Sequence, residues 1–157
     1  CNNKIRQLNT EKEFLLKNIP TIKSQEIGYL TITGYKNIKD KVINMLREAR
    51  LRVYLSASAS FIQELEEELL ETLARKNKLV LITDQVLKND VLRSESVCYI
   101  GEEKGNSVRL IIDSSYALTG ELLGKKEDTC LYTGQENFIR IFKDALRSIW
   151  FSRSVKV

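Results

Sequence analysis

The chain has 157 residues, of which 43% are apolar and 29% are charged, and this is enough to bury the core of one globular domain. It contains no histidine, which excludes Ser-His-Asp and Cys-His nucleophilic sites as well as histidine-ligated zinc. No apolar run approaches the roughly 18–20 residues that span a bilayer, so we expect no membrane partner.

Motifs for cofactors and metals are also missing from the sequence. The seven glycines are scattered singly, so neither a Walker loop nor a dinucleotide-binding loop is present. The three cysteines, Cys1, Cys98 and Cys130, are widely spaced and form no CxxC pair. We therefore expect no cofactor and no metal site, and reduced thiols that are typical of a cytoplasmic protein.

The N-terminal segment differs from the rest of the chain in charge. Residues 1–25 carry five basic and two acidic side chains, a net charge of +3 out of +4 for the whole chain. Apolar residues at heptad-like spacing predict a coiled-coil-like dimerisation helix, and they are Ile5, Leu8, Leu15 and Ile19. Pro20 ends this helix because proline lacks an amide donor. The basic charge is typical of nucleic acid nearby or of a solvated helix surface, and the sequence leaves both open.

The domain that follows, residues 26–157, begins with alternating strands and helices. The strand-like segments are GYLTITGY (28–35), LRVYLSA (51–57) and KLVLITD (78–84). Amphipathic patterns between them predict helices over 37–50 and 60–77. This alternation predicts a βαβαβ unit with parallel pairing of its strands.

The second half of the domain has the pattern of a β-meander. Its strand-like segments are SVCYIG (96–101), SVRLIID (107–113), YALTGEL (116–122) and TCLYTG (129–134). We predict a tight turn over 113–116 and a final helix over 135–152. The predicted fold class is therefore α/β, with a mixed β-sheet flanked by helices on both faces.

Polar residues near the strand ends supply a candidate ligand site, because ligands bind at the carboxyl ends of strands in such sheets. Sugars are recognised by amide and carboxylate side chains together with an aromatic ring. The candidate set consists of Tyr35, Ser56, Ser58, Asn106, Asp113, Glu121 and Tyr132. Structural alternatives stay open, since Asp113 could equally form an Asx-turn and the serines could equally be a polar loop with an N-cap.

The stretch NSVRLIIDSSYALTGEL (106–122) resembles the motif of phospholipase D and its related nucleases. In that superfamily one strand carries histidine, lysine and aspartate, and a second strand leads to Gly-Ser. The corresponding residues here are Asn106, Val108, Asp113, Gly120 and Glu121. The resemblance implies a fold like one half of a phospholipase D enzyme. Asparagine at the histidine position cannot carry a phosphoryl group, and valine at the lysine position cannot neutralise a phosphate. We therefore expect no catalytic residues and no enzyme activity.

A second resemblance covers nearly the whole chain. The order of elements, with GYKNI (34–38) opening a helix and DSSYALTGE (113–121) spanning a turn, is similar to the effector domain of TrmB-type, sugar-responsive transcription regulators. The resemblance implies a homodimer, a sugar-like effector, and DNA binding through a winged helix that we expect to precede this chain. Two other functions stay open, namely a nuclease-superfamily enzyme with an unrecognised site and a purely structural dimerisation module.

Overall fold

The computed structural model describes residues 28–101, 105–153 and 155–156. The predicted dimerisation residues lie outside this part of the chain, and they are Ile5, Leu8, Leu15 and Ile19. The described residues form one eight-stranded sheet with helices on both of its faces.

The bounds of the elements agree with the predicted ones for the long helices. The strands are β1 (Tyr29–Thr33), β2 (Arg52–Ser56), β3 (Lys78–Thr83), β4 (Val97–Ile100), β5 (Ser107–Ile112), β6 (Tyr116–Glu121), β7 (Thr129–Thr133) and β8 (Val155–Lys156). The helices are α1 (Tyr35–Glu48), α2 (Ala59–Glu64), α3 (Glu66–Ala74), α4 (Asp90–Glu95) and α5 (Glu136–Arg153). The short elements α4 and β8 are not predicted from the sequence, because neither is long enough to show a period.

The sheet is mixed, as predicted, and its strand order is β1-β7-β6-β5-β2-β3-β4-β8. Strand β3 runs parallel to β2 and to β4, and the other neighbours are antiparallel. Two details of the predicted pairing are wrong. β1 pairs with β7 rather than with β2, and β4 extends the parallel half rather than the meander. The exposed pattern of β1 suits the edge of the sheet, whereas a central position requires apolar residues on both faces.

Two hydrophobic cores lie on the two faces of the sheet. On one face, helices α1 to α4 cover a cluster that includes Val53, Leu55 and Leu110. On the other face, α5 covers a smaller cluster that includes Tyr54 and Ile111. Because successive strand residues point to opposite faces, the central strands contribute apolar residues to both cores. In the part of the chain with described coordinates, no helix is both long and apolar enough to cross a membrane.

The second predicted helix is divided at Leu65. This residue has φ −102° and ψ 11°, so the chain turns between α2 and α3. Ser58 caps α2, because its Oγ accepts a hydrogen bond from the backbone amide of Phe61 at 3.3 Å. The turn directs Glu64 and Glu66, on either side of it, to two different cavities.

Asp113 joins the β5–β6 turn to the loop between α1 and β2. Asp113 and Ser114 adopt left-handed backbone conformations, with φ of 53° and 55°, which allow a tight hairpin turn. The Asp113 carboxylate accepts hydrogen bonds from the backbone amides of Leu51 at 2.8 Å, Arg52 at 3.0 Å and Arg50 at 3.0 Å. The predicted turn is present, and its acid fixes a neighbouring loop as well as the turn itself.

These contacts also control the ionisation of Asp113. Burial of the carboxyl group opposes ionisation, but the amide hydrogen bonds outweigh this effect and hold the pKa below 3.8. Since the pKa in the folded state is lowered, the stabilisation is present above pH 3.8 and is lost as the pH falls through the folded-state pKa.

We expect Asp113→Asn to lower the free energy of unfolding at pH 7 by roughly 2 kcal/mol, because hydrogen bonds to a charged acceptor are lost. Urea denaturation measures this difference, which should shrink below pH 3.8 as the wild-type carboxyl is protonated. The matched control is Asp40→Asn, at an exposed acid of α1, which should change the stability by less than about 0.5 kcal/mol. Equal losses in the two variants would contradict the role assigned to Asp113.

Candidate functional site

A small cavity lies at the carboxyl end of β2, between the first turn of α1, helix α2 and the start of β5. This cavity, the notch, has a volume of about 210 Å³. It is lined by Tyr35, Ser58, Ser60, Phe61, Glu64, Asn106, Ser107, Val108, Leu122, Leu123 and Gly124. Its place in the sheet is where a ligand is expected in an α/β fold.

A hydrogen-bonded acid and tyrosine form the polar side of the notch. The Tyr35 hydroxyl donates to Glu64 Oε1 at 2.6 Å, and Lys39 Nζ lies 3.1 Å from the same oxygen. The Tyr35 ring meets the Phe61 ring edge to face, with centroids 6.4 Å apart. The second carboxylate oxygen of Glu64 has no protein partner among the described residues, so it can accept hydrogen bonds from a ligand.

The ionisation of this pair follows from the same contacts. Burial and the hydrogen bond to Glu64 raise the pKa of Tyr35 to about 12, so its hydroxyl stays protonated. Burial opposes ionisation of Glu64, but the hydrogen bonds from Tyr35 and Lys39 outweigh it and lower the pKa of that carboxyl. At neutral pH the notch therefore presents a carboxylate, one of whose oxygens is already held.

Further polar groups at the notch are neutral. The Asn106 side chain is exposed and makes no hydrogen bond within the described residues, although the backbone carbonyl of Asn106 accepts a hydrogen bond from the Leu122 amide at 2.8 Å. The hydroxyls of Ser58 and Ser60 lie 3.2 Å apart. An amide, two hydroxyls and a carboxylate thus surround the cavity, and this set can both donate and accept hydrogen bonds.

One wall of the notch is shaped by a buried acid that sequence reasoning missed. Asp128 Oδ2 accepts hydrogen bonds from the backbone amides of Leu123 at 2.8 Å, Gly124 at 2.8 Å and Lys125 at 3.1 Å. The Asp128 carbonyl also accepts from the Gly34 amide at 2.6 Å. The wall and the start of α1 are therefore tied together, but no local pattern around Asp128 predicts this.

The structure brings three of the seven predicted site residues together at the notch, and they are Tyr35, Ser58 and Asn106. Ser56 and Glu121 lie at this end of the sheet but on its other face, because each alternates with a residue that faces helices α1 to α4. Glu64, which was absent from the predicted set, completes the notch. Its position six residues after the N-cap of α2 becomes informative only once the break at Leu65 is known.

The remaining two predicted residues lie elsewhere. Asp113 follows β5 whereas Asn106 precedes it, so the strand separates them by roughly 20 Å at about 3.3 Å per residue. Tyr132 stacks on Tyr116 with ring centroids 5.7 Å apart, and Lys41 Nζ lies 4.0 Å from the centroid of the Tyr132 ring. Burial, together with nearby negative charge, raises the pKa of Tyr132. These residues therefore do not converge on one ligand.

The positions that correspond to a catalytic pair lie at the notch but carry no chemistry for phosphoryl transfer. Val108 is 1% exposed and packs in the core beneath α1 to α4. Asn106 is at the rim.

The cysteines Cys98 and Cys130 are free and buried, and burial raises the pKa of Cys130 to about 11. Among the residues with described positions, no group of three or more His, Cys, Asp or Glu side chains is arranged to hold a metal ion.

A larger groove of about 550 Å³ lies on the other side of α2, between α2, α3 and the loop that leads to α4. Its polar lining includes Gln63, Gln85 and Glu66, and its apolar lining includes Ile62 and Leu92. Ser60 lines both cavities. The groove and the notch are therefore neighbouring cavities that different residues of one short helix separate.

Comparison with known proteins identifies one sequence family. The family model described as "Transcriptional regulator TrmB, EBD N-terminal subdomain" matches residues 29–157. No curated protein matches the chain.

Solved structures share the fold at low sequence identity. TrmBL2, an archaeal chromatin protein, is similar with a TM-score of 0.65 and 18% identity, over 94% of this chain and 62% of its own. Nuc from Salmonella typhimurium, a phospholipase D family member, has a TM-score of 0.64 and 11% identity, over 83% of this chain and 99% of its own. NucT from Helicobacter pylori has a TM-score of 0.65 and 13% identity, over 80% of this chain and 97% of its own. The phospholipase-D-like architecture is therefore confirmed, and the chain spans about 62% of the length of TrmBL2.

We expect Tyr35→Phe to raise the pKa of Glu64, because the carboxylate loses its hydrogen bond from the tyrosine hydroxyl. A carbon-detected NMR titration of the glutamate carboxyl groups measures this change. The control is Tyr29→Phe, since the Tyr29 hydroxyl donates to Gln135 and not to Glu64. An unchanged Glu64 titration in Tyr35→Phe would show that the hydrogen bond does not govern this acid.

Proposed function

Because this chain belongs to the TrmB family of transcriptional regulators, in which it matches the EBD N-terminal subdomain, we propose that it is the non-enzymatic effector-sensing and dimerisation part of such a regulator. The observation that carries the proposal is the composition of the notch. Asn106 and Val108 stand where the superfamily has a nucleophile and a cation, and Glu64, Ser58 and Ser60 line the cavity beside them. The DNA-reading winged helix would precede this chain, and TrmBL2, a similar protein, is described as binding DNA. A cytoplasmic location follows from this role.

The chemistry of the notch favours a neutral, polyhydroxylated effector such as a sugar. The open oxygen of Glu64 and the amide of Asn106 can hydrogen-bond to neighbouring hydroxyl groups. Lys39 is already paired with Glu64, so a phosphate group would meet a carboxylate and no available cation within the described lining. Phosphorylated sugars and nucleotides should therefore bind less well than neutral sugars.

The volume of the notch limits the size of the effector. At about 210 Å³ it is smaller than the roughly 300–1,000 Å³ typical of sites for drug-sized ligands. The notch is large enough for about one sugar ring. The other rings of a larger sugar would extend into solvent.

Tyr35 connects the notch to strand β1 and so to the N-terminal segment. The Tyr35 amide donates to the Lys125 carbonyl at 3.0 Å, and β1 ends two residues before it. Strand β1 leads back directly to residues 1–27. An effector that displaces Tyr35 would therefore act on the strand that continues from the dimerisation helix, and two such helices set the spacing of DNA-binding heads.

A phosphodiesterase with an unrecognised site is the second candidate, and the similarity in fold to Nuc and NucT favours it. The buried Val108 and the absence of histidine from the sequence oppose it. Hydrolysis of a phosphodiester by the purified chain, abolished by Glu64→Gln in the notch, would decide for this alternative.

We expect a neutral monosaccharide from a screening panel to raise the thermal stability of the chain, whereas its phosphate ester should have a weaker effect. Asn106→Ala should weaken the binding measured by calorimetry roughly fivefold, and Glu64→Gln by tenfold or more, since the latter removes a charged acceptor. Gln63→Ala is the matched control, because Gln63 lies on the same helix but lines only the groove. If Gln63→Ala abolishes binding and Asn106→Ala does not, the effector binds in the groove and the assignment to the notch is wrong.

Dimerisation is proposed to depend on Ile5, Leu8, Leu15 and Ile19. We expect the double variant Leu8→Glu, Leu15→Glu to sediment as a monomer, because it places charges in the heptad seam. The control Asn3→Glu, Thr10→Glu adds the same charge at outward-facing heptad positions and should remain dimeric. A wild-type chain that sediments as a monomer would overturn this part of the proposal.

A further inference from the structure

Five cationic side chains gather at the amino end of the parallel strands, opposite the notch. This group, the basic end, consists of Arg50, Arg52, Lys76, Lys78 and Lys143. Arg52 and Lys78 are the first residues of β2 and β3, and all members except the half-buried Lys143 are exposed.

Short-range contacts hold the basic end together. Asn77 Nδ2 donates to the carbonyls of Ala49 and Thr72, both at 3.3 Å, so the loop that bears Lys76 is fixed against the loop that bears Arg50. The Lys78 amide donates to the Leu51 carbonyl at 2.9 Å. Together with the amide hydrogen bonds to Asp113, these contacts keep the backbones of the cationic residues in fixed positions.

Lys143 brings a cation from α5 to the same place. Its Nζ donates to Ser114 Oγ at 3.0 Å, directly beside Asp113 in the β5–β6 turn. The basic end therefore draws on both sides of the sheet, since α5 packs on the face opposite α1 to α4.

The five cations of the basic end form no ion pair among the described residues. Arg47, Arg93, Arg140 and Arg147 each pair with a carboxylate within 4.0 Å. Asp113 lies beside the basic end, and its oxygens already accept the backbone amides of the neighbouring loop. Asp144 lines a cavity together with Lys143 and is already paired with Arg147. Arg52 and Lys78 are moreover direct neighbours in the pairing of β2 with β3, and like charges at such positions repel. An external anion would remove this repulsion.

Lys76 carries a second cost. It follows α3 in a left-handed conformation, with φ 71°, and its amide donates to the Leu73 carbonyl at 2.9 Å. Glycine or asparagine is the usual residue at this position after a helix, because other side chains are strained there by roughly 1 kcal/mol. A lysine here keeps a charge at the basic end at the expense of stability.

The chain enters the domain at the same end. Gly28 precedes β1, and its carbonyl accepts a hydrogen bond from Thr133 Oγ1 at 2.9 Å, where β7 ends. Residues 1–25, with their net charge of +3, therefore connect to the body on this side.

We propose that the basic end binds the phosphate backbone of duplex DNA directly, so that the body of the regulator adds a sequence-independent contact to DNA. This proposal depends on the proposed role as a transcription regulator, which supplies the DNA, but not on an effector in the notch. Neighbouring cations that have no carboxylate partner among the described residues can each contact a phosphate, and each such contact releases condensed counter-ions from the DNA. The contact contributes affinity and register rather than base specificity.

The test measures the binding of the whole chain to a random-sequence duplex by fluorescence anisotropy over a range of salt concentrations. In the variant Arg50→Gln, Arg52→Gln, Lys78→Gln, the affinity at low salt should fall at least about tenfold, and the slope of log K against log salt should decrease by about 2 to 3. The matched control Lys36→Gln, Lys125→Gln, Lys126→Gln makes the same change in net charge at exposed residues near the opposite end, and its affinity should stay within about twofold of wild type.

Lys76→Gly separates a functional role from a structural one. Glycine adopts the left-handed conformation without strain, so the variant should unfold at an equal or higher urea concentration than wild type. It should also bind DNA more weakly, and the slope of log K against log salt should decrease by roughly 0.9. Unchanged affinity and slope in both the triple variant and Lys76→Gly would overturn the proposal. An equal loss in the control triple variant would also overturn it, because binding would then reflect net charge alone.

Competition identifies the class of nucleic acid. Duplex DNA should displace the labelled duplex more effectively than single-stranded RNA of equal length. If the RNA competes better and its binding is lost in the triple variant, the partner is RNA and the proposal is wrong. A chain that binds DNA through the basic end but no sugar would leave this inference standing while the effector assignment fails.

Discussion

The central strands of this protein are apolar on both faces, and this constraint determines how the other elements are arranged. Residues of β2 alternate between the two cores, as Val53 and Leu55 do against Tyr54. Neither face can be left to water, so α1 to α4 cover one face and α5 must return across the other. The edge positions are left to strands with exposed faces, such as β1.

A sheet covered in this way leaves polar chemistry only at the ends of its strands. The carboxyl end carries the notch, where an acid, an amide and hydroxyls meet. The amino end carries unpaired cations. Two aspartates organise these two ends in the same manner, since Asp128 and Asp113 each collect backbone amides from a loop. The two ends of the sheet therefore differ in chemistry, with a carboxylate and neutral polar groups at one end and cations at the other.

Sequence reasoning reached the fold class and the two long helices because both depend on hydrophobic periodicity, which a single chain displays. The predicted partner of β1 was wrong because the alternation of Leu30 and Ile32 indicates a strand but not the strand with which it pairs. For a related reason, the sequence did not determine which of the candidate residues line the notch. Whether Ser56 or Ser58 faces the notch depends on strand parity and on where α2 begins, and Glu64 enters only through the turn at Leu65. For Asp113 the sequence left a ligand role and an Asx-turn open, and its partners in the structure are backbone amides distant in sequence.

The carboxylate of Asp113 has a consequence for the detection of active phosphodiesterases in genomes. Its role in the structure is to hold a loop in place by accepting hydrogen bonds from backbone amides, roughly 20 Å from the notch. An acid with this role supports the fold whether or not the chain hydrolyses a phosphodiester. A motif search that scores only the aspartate and the glycine will therefore also find chains such as this one, which have neither the histidine nor the lysine of the motif. The two positions at the opposite end of the strand, here asparagine and valine, are the ones where this chain departs from the motif.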